Sequence, residues 1–426
     1  MHYIGPEEIL RKKQEYLIPC VYHFYKTPMQ IVRGKMQYLY DHTGKEYLDF
    51  YGGVSVMNAG HCNTEVVEKV CDQVKTLQHT TTIYLTQPIV NLAEKLSQIT
   101  PGNLKRSFFC ASGTEANEGA ALLAQLFTKK RKCIATTTGL HGRTKLAMNL
   151  TGIAMWRTDP YPSEDVTHVP AAYCYRCSYE LTYPECNLKC ARYLEDIVKS
   201  DDYAAFIIEP IQGNGGVITP PEGYFQVIRE ILHKYNLLLI VDEVQTGFGR
   251  TGEMFAIKHW GVVPDIMTMA KAMANGTPLG AFITNDTIAS AYTRPGASTT
   301  GGNPVSSSAA LATIDVIEKH QLARKAKERG IYFMDKLIEL QQKHTLIGDV
   351  RGKGLMLGVE LVLEDKMPAT EEMDIVLEAL KDHGILAGKT GKDRNVLTFQ
   401  PPLVITINDI DRVIDTLDKI FLTRIK

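Results

Sequence analysis

Five short apolar runs recur along the middle of the chain, and a helical pattern separates each from the next. Strands that are buried on both faces of a parallel sheet have this short, continuous apolar character. Helical stretches between the runs, such as residues 220–236, complete βαβ units. The pattern therefore predicts an α/β protein whose large domain holds a mainly parallel sheet. The runs are SFFCA (107–111), CIATT (133–137), AAFIIE (204–209), LLLIVDE (237–243) and DIMTMA (265–270).

Both ends of the chain predict a smaller α+β domain. Residues 36–55 are typical of a β-hairpin around the turn His42-Thr43-Gly44. A long helical pattern runs from Pro304 to about residue 345, one strand is expected over 350–362, and a last helix begins near Asn408, a residue type suited to an N-cap. We expect an N-terminal segment over 1–58, a large domain over 59–305 and a C-terminal small domain over 306–426.

Charge and composition exclude several classes of protein. The 47 Lys and Arg residues balance 48 Asp and Glu residues, so no net charge draws the chain to nucleic acid or anionic membrane. Apolar residues make up 44%, as in soluble globular proteins, which excludes a disordered or fibrous chain. No uncharged apolar run reaches the ~18 residues of a membrane span. The start, MHYIGPEEILRKKQEY, lacks the apolar core of a signal peptide, so we expect a cytoplasmic protein.

Residues that could carry chemistry follow the predicted strands, at the edge of the sheet where ligands bind. Ser112-Gly113-Thr114 opens a helix and suits a phosphate, or is an ordinary helix cap. Asp242 ends the most apolar strand and has three readings. It could belong to a metal or general-base site, be the solvated end of a strand, or be a buried carboxylate paired with a cation such as a protonated pyridine. Lys271 is either a solvated lysine or a Schiff-base nucleophile. The loop 298–304 offers a second phosphate contact or an ordinary turn.

A phosphate cradle, a buried aspartate and a lysine, in that order, are what pyridoxal phosphate requires. The motifs SGTEAN, EPIQG (209–213), DEVQTGFGR (242–250), MAKAMANGTPLGA (269–281) and TTGGNP together resemble the class III, or ω-, aminotransferases over essentially the whole chain. The tract CYRCSYELTYPEC is most similar to the alanine–glyoxylate aminotransferase 2-like branch. The resemblance implies a fold-type I enzyme that forms a homodimer, or a dimer of dimers, with active sites at the subunit interface.

The resemblance also implies a role for each matching residue. Lys271 would bind the cofactor covalently and move the substrate proton, and Asp242 would keep the pyridine nitrogen protonated. Leu140 stands where the family usually stacks an aromatic ring on the cofactor. The other expected cofactor contacts are Ser112, Gly113, Thr114, His141, Glu209, Val244, Gln245 and the partner subunit's Thr299.

The expected substrate residues are Arg143, Gly53, Asn214 and Thr398. Arg143 matches the position that binds the distal carboxylate of ω-amino acids, and a sulfonate would suit it nearly as well. Thr398 replaces the arginine that commonly binds the α-carboxylate of the keto acid. Asn214 replaces the glutamate that pairs with that arginine. Because both charged residues are replaced, the pocket holds a neutral pair and no unpaired charge.

Three functions follow from these residues. The leading hypothesis is an aminotransferase that moves the terminal amine of β-alanine, β-aminoisobutyrate, 4-aminobutyrate or taurine to a 2-oxo acid. Thr398 and Asn214 favour the rival, an amino-acid racemase or epimerase on the same fold. A third possibility is a non-enzymatic protein that binds the cofactor or senses a metal.

Four of the nine cysteines lie within one short tract, Cys174, Cys177, Cys186 and Cys190. Closely spaced thiols in a reducing compartment suggest structural Zn²⁺ or, less readily, an iron–sulfur cluster. Their spacing is not that of a standard zinc finger, and free buried cysteine is common, so either reading stays open.

Overall fold

The computed structural model describes residues 3–200 and 202–423. Its strands are β1 (Ile31–Lys35), β2 (Tyr38–Asp41), β3 (Glu46–Asp49), β4 (Arg106–Cys110), β5 (Lys132–Thr136), β6 (Val166–Val169), β7 (Tyr203–Ile208), β8 (Leu238–Asp242), β9 (Ile266–Met269), β10 (Gly280–Thr284), β11 (Ile347–Lys353), β12 (Met356–Leu361), β13 (Ile385–Leu386), β14 (Gly388–Thr390) and β15 (Val396–Phe399).

The helices alternate with these strands through the middle of the chain. They are α1 (Pro6–Tyr16), α2 (the single left-handed turn Gly52–Ser55), α3 (Thr64–Thr76), α4 (Gln87–Ile99), α5 (Gly113–Thr128), α6 (Lys145–Leu150), α7 (Lys189–Ser200), α8 (Tyr224–Lys234), α9 (Asp286–Ala289), α10 (Pro304–Lys319), α11 (Leu322–Lys343), α12 (Thr370–Asp382) and α13 (Ile407–Thr423).

A seven-stranded sheet forms the centre of the molecule, in the order β4-β10-β9-β8-β7-β5-β6. Strand β10 runs antiparallel to both its neighbours, and the other neighbouring pairs are parallel. Every residue of β7, β8 and β9 is buried, because helices cover both faces of the sheet. All five strands that the apolar runs predict are present, and the predicted mainly parallel α/β architecture is confirmed.

Two smaller sheets involve the chain ends. Strands β1, β2 and β3 include the predicted hairpin, and β13 joins β3 in parallel, so residues from opposite ends of the chain share one sheet. The other sheet has the order β11-β12-β15-β14 and consists of C-terminal residues alone. The residue boundaries that we assign to the domains stay a prediction.

Two predictions in the C-terminal region are wrong. The helix expected from Pro304 to about residue 345 is broken into α10 and α11, because Gln321 adopts a left-handed backbone with φ of 50°. The single strand expected over 350–362 is a hairpin of β11 and β12. Its turn contains Gly354 at φ of 55°, where a Cβ would lie 2.4 Å from the backbone of Thr251.

Helix α13 starts at Ile407, as predicted near Asn408, but its capping residues differ from the expected one. Asn408 lies inside the helix, and the capping residues are Thr406 and Asp409. The Thr406 hydroxyl accepts from the Asp409 N–H at 3.2 Å, and the Asp409 carboxylate accepts from the Thr406 N–H at 2.7 Å. This reciprocal arrangement is a capping box.

None of the helices in the described parts of the chain is long and apolar enough to cross a membrane.

Candidate active site

A cleft of about 340 Å³ opens at the carboxyl ends of the central strands. Segments that follow β4, β5, β8 and β9 line it, as expected for a ligand site in an open α/β sheet. Of the predicted cofactor residues, those that line the cleft are Ser112, Gly113, Thr114, Leu140, His141, Asp242, Val244 and Lys271. Four segments widely separated in sequence thus converge at one place.

One end of the cleft is the N-terminus of α5. Ser112 caps the helix, and its hydroxyl accepts from the Glu115 N–H at 3.4 Å. The first N–H groups of a helix have no intrahelical partner and attract anions. The Thr114 hydroxyl accepts from the N–H groups of Arg143 at 3.1 Å and Thr144 at 3.2 Å, so it holds the neighbouring loop against the helix. This end of the cleft suits a phosphate.

Asp242 lies at the bottom of the cleft and is only 2% exposed. Its Oδ2 accepts from Asn117 Nδ2 at 2.8 Å and lies 2.8 Å from His141 Nδ1, and its Oδ1 accepts from the Val244 N–H at 3.0 Å. These three partners fix the position of the carboxylate. Thr268 in turn donates to Asn117 Oδ1 at 2.6 Å.

Sequence reasoning did not assign a role to Asn117, although the residue belongs to the SGTEAN motif. The side chain is 1% exposed on α5, and it also donates to the His141 carbonyl at 2.7 Å. The available sequence signal was an asparagine one turn after a helix start, because asparagine is not a strong helix former and its amide needs polar partners.

Lys271 begins a short 3₁₀ turn, which Ala270 alone separates from β9. Its φ of 45° lies in the left-handed region, where non-glycine residues are uncommon and often functional. Burial lowers the pKa of its ammonium group, and the charges of Glu209 and Asp242 oppose that shift. The lowered pKa raises the fraction of neutral, nucleophilic amine.

Glu209 follows β7 and connects two loops beside the cleft. Its carboxylate accepts from the Leu140 N–H at 2.8 Å and from the Gly213 N–H at 3.0 Å. Burial raises the pKa of this carboxyl to about 7, against the opposing effects of His141 and these two N–H groups. Glu209 therefore positions Leu140, which lines the cleft, rather than lining the cleft itself.

The predicted substrate residues are spread around the cleft. Arg143 is exposed and follows Gly142, which lines the cleft, and no described acid pairs with its guanidinium. Gly53 is exposed in the left-handed turn α2, and Val56, just after that turn, lines the cleft. Asn214 is half-buried and accepts from the Gly391 N–H at 3.0 Å.

Three further predicted residues lie outside the cleft lining. Thr398 is fully buried on β15, and its hydroxyl has no partner among the described residues. Gln245 is buried beside Gly213, and its Oε1 is likewise without a partner in the described part of the chain. Thr299 is exposed, and its predicted contact belongs to the partner subunit.

The predicted metal site is not found. Among residues 3–200 and 202–423, no group of three or more histidine, cysteine or acidic side chains is arranged to hold a metal ion. Cys174, Cys177, Cys186 and Cys190 are near enough for their charges to interact, but they are free thiols spread over a 3₁₀ turn, a loop and α7. Proximity in sequence did not produce the converging geometry that a metal needs.

The cleft fits pyridoxal phosphate by the chemistry of its groups. The free N–H groups of α5 suit the phosphate, the buried Asp242 suits a protonated ring nitrogen, and Lys271 supplies the amine for the aldehyde. Glycine is required at the cradle, because a Cβ on Gly113 would lie 2.9 Å from Val244 and one on Gly142 would lie 2.2 Å from the Thr114 hydroxyl.

Comparisons with known proteins agree with this geometry. Residues 22–421 match the family model "Aminotransferase class-III". The chain is 42% identical to "Alanine--glyoxylate aminotransferase 2 homolog 2, mitochondrial" of Arabidopsis thaliana, over 98% of this chain and 88% of the relative. It is 38% identical to "Leucine/methionine racemase" of Thermococcus litoralis, over 97% of this chain and 95% of the relative.

Solved structures show the same fold. An amine transaminase from an uncultivated Pseudomonas species, solved in its pyridoxal-phosphate-bound form, superposes with a TM-score of 0.89 at 28% identity. The superposition covers 96% of this chain and 98% of that one. The fold is thus fold-type I, and the predicted resemblance is confirmed. The protein is a pyridoxal-phosphate-dependent enzyme that belongs to the class III aminotransferase family.

Proposed function

We propose that the enzyme moves the terminal amine of a short ω-amino acid or aminosulfonate to a 2-oxo acid. The observation that supports this donor class is Arg143, an exposed guanidinium beside the cleft with no acidic partner among the described residues. A planar guanidinium suits a carboxylate or a sulfonate. The Thr114 hydroxyl accepts from the Arg143 N–H at 3.1 Å, which fixes the backbone from which this cation extends beside the cleft.

The residues of the chain divide the chemistry between them. Bound pyridoxal phosphate would accept the amino group and withdraw electrons from the carbon that loses its proton. Lys271 Nζ, with its lowered pKa, would take up that proton and later return it. Asp242, held by Asn117 and His141, would keep the ring nitrogen protonated.

The experiment is an absorbance assay on the purified holoenzyme with one amino donor at a time and no keto acid. The donors are β-alanine, β-aminoisobutyrate, taurine, 4-aminobutyrate and L-alanine. Loss of the visible cofactor band with a stoichiometric aldehyde product identifies the donor and supports transamination. A band that survives every ω-amine contradicts the proposal.

A second candidate function is amino-acid racemisation or epimerisation. It is favoured by Thr398, which is buried and uncharged at the position where relatives carry the α-carboxylate arginine, and by the similarity to the leucine/methionine racemase. A racemase returns the proton to the carbon from which it came, so the amine stays on the substrate. In the same assay, an unchanged cofactor band together with decaying optical rotation of L-alanine, L-leucine or L-methionine would identify this activity.

We also propose assembly as a homodimer or a dimer of dimers, in the cytoplasm. Apolar side chains that a monomer would leave in water support assembly: Ile83, Tyr84 and Leu85 are 82%, 66% and 99% exposed in one loop. Contiguous exposed apolar residues mark interaction surfaces. Sedimentation of the holoenzyme tests this, and a monomer at micromolar concentration would contradict it.

A further inference from the structure

A second and larger cavity, of about 480 Å³, lies beside the cofactor cleft. Thr138 lines this cavity, and Leu140, two residues later, lines the cleft. Two residues of chain span at most about 7 Å, so the two linings approach each other closely at this segment. Gly215 and Gly391 form another part of the cavity lining, and the Gly391 N–H donates to the carbonyl of Asn214 at 3.0 Å. We call this space the junction cavity.

The sheet beside the junction cavity places an arginine on the same face as Thr398. Thr398 pairs with Gly358 on β12, and Gly358 pairs on its other side with Arg351 on β11. Directly opposed residues of antiparallel strands point to the same face. Gly358 has no side chain, and Arg351 and Thr398 on either side of it have Cα atoms about 10 Å apart. Val217 and Val396 pack over this glycine, since a Cβ there would lie 3.0 Å from Val217 and 3.1 Å from Val396.

The guanidinium groups of Arg176 and Arg351 share the carboxylate of Glu360, which lines the junction cavity. Arg351 Nη1 lies 2.8 Å from Glu360 and 2.6 Å from Asp349, and Arg351 Nε donates to the Gly216 carbonyl at 2.9 Å. Arg176, which lines the junction cavity, donates from Nε to Glu360 at 2.5 Å.

Each of these arginines keeps one donor group unused. Arg176 Nη2 and Arg351 Nη2 are buried and have no partner among the described residues. Arg351 Nη2 lies 3.2 Å from the Cβ position of Gly216, which is also 3.3 Å from Gly391 and Val396, two residues that line the junction cavity. A buried guanidinium N–H without an acceptor is costly, and a carboxylate would satisfy it.

The charges around the junction cavity favour reversible binding. Arg176 and Arg351 are balanced by Glu360 and Asp349, so an incoming carboxylate gains hydrogen bonds rather than a large Coulombic attraction. A substrate that must bind and leave in every cycle requires such moderate affinity.

We propose that Arg176 and Arg351 bind the carboxylate adjacent to the ketone of the 2-oxo acid, the role that Thr398 cannot fill. This inference rests on the proposed aminotransferase function. The donor and the acceptor are then recognised by different cations. Arg143 binds the distal acid of the donor, and Arg176 and Arg351 bind the carboxylate of the acceptor.

The test uses the holoenzyme converted to its amine form with pyridoxamine phosphate, in single turnovers with two acceptors. Pyruvate carries only the carboxylate adjacent to the ketone, and butanal carries none. The variants are Arg176→Lys and Arg351→Lys, which keep the positive charge beside Glu360 and lose the planar fork. The matched control is Arg192→Ala, an exposed arginine on the neighbouring helix α7.

We expect each lysine variant to lower kcat/KM for pyruvate by about 10- to 100-fold, the effect of losing a charged hydrogen bond, and to change the value for butanal less than 2-fold. Calorimetric titration of pyruvate into the holoenzyme should show weaker binding in the same variants, and Arg192→Ala should match the wild type in both assays.

Equal losses for pyruvate and butanal would mean that the arginines only support the fold, and no loss for pyruvate would remove them from recognition. If the amine form of the wild type converts none of the 2-oxo acids pyruvate, glyoxylate and 2-oxoglutarate, the proposed aminotransferase function itself fails.

Discussion

The guanidinium of Arg143 stands exposed beside the cleft, while the backbone of the same residue is tied to Thr114 at 3.1 Å. Arg143→Ala should therefore remove substrate recognition without disturbing the cofactor site. We expect kcat/KM for β-alanine, taurine or 4-aminobutyrate to fall about 10- to 100-fold, since a hydrogen bond to a charged group contributes about 1.5–3 kcal/mol. Steady-state kinetics with an uncharged amine such as butylamine provide the comparison.

Two variants control this measurement. Arg143→Lys should recover part of the lost activity, because the charge is kept while the bidentate geometry is lost. Arg324→Ala, on the exposed face of α11, should leave all donors unaffected. Equal losses with butylamine and β-alanine would remove Arg143 from substrate recognition.

Residue identity was predictable where a motif specified both a chemical type and its place after a strand. Ser112, Asp242 and Lys271 follow three different strands, and they meet at one cleft because the carboxyl ends of parallel strands share one edge. The hydrogen-bond partners of a residue were harder to predict from the sequence. His141, an expected cofactor contact, lines the cleft, and its Nδ1 lies 2.8 Å from Asp242, a pairing across 101 positions that the sequence did not indicate.

At the scale of elements, α5 and the loop after β5 meet at the end of the cleft that suits a phosphate. Gly142 has φ of 143°, and a Cβ there would lie 2.2 Å from the Thr114 hydroxyl and 2.9 Å from Ala147. Gly142→Ala should displace Thr114 and weaken pyridoxal phosphate binding at least 10-fold. The measurement is the dissociation constant of the cofactor, obtained by titrating the apoenzyme and following absorbance and tryptophan fluorescence.

The control separates backbone strain from the clash. Gly261 has φ of 64° with nothing within 4 Å of its Cβ position, so Gly261→Ala carries strain alone. That variant should cost roughly 1 kcal/mol of stability and leave cofactor affinity unchanged. Unaltered affinity in Gly142→Ala would show that the contact with Thr114 does not shape the phosphate end.

The elements predicted best were those with a strong periodic pattern, such as β7 and β8. The boundaries that failed depend on single backbone angles. The residue type of Gln321 does not predict the left-handed backbone conformation that separates α10 from α11, because glutamine is an ordinary helix former. The pairing of β13 with β3 could not be derived either, since register between opposite ends of the chain depends on tertiary packing.

At the scale of the whole molecule, buried acids make stability depend on pH. Glu243 is fully buried behind the cleft, where it accepts from the Thr246 hydroxyl and from the Ile257 N–H at 2.8 Å. Burial raises the pKa of its carboxyl from 4.5 to about 7, although these hydrogen bonds oppose the shift. The folded state therefore binds this proton more tightly than the unfolded state, and ionisation of Glu243 destabilises the fold as pH rises from about 4.5 through 7.

Glu243→Gln removes this ionisation and keeps the shape of the side chain. Because the shift from 4.5 to about 7 corresponds to about 3 kcal/mol, the variant should gain up to that amount relative to the wild type between pH 5 and pH 8.5. Melting temperatures of both holoenzymes across this range measure the difference, and contributions from other titrating groups, such as the half-buried His168 and His259, cancel in the comparison. Glu230→Gln, at an exposed position on α8, should show a difference that does not change with pH. A constant difference for Glu243→Gln as well would mean that Glu243 does not take up a proton in this range. The pH dependence would then come from other groups, such as Glu209, whose carboxyl pKa burial also raises to about 7.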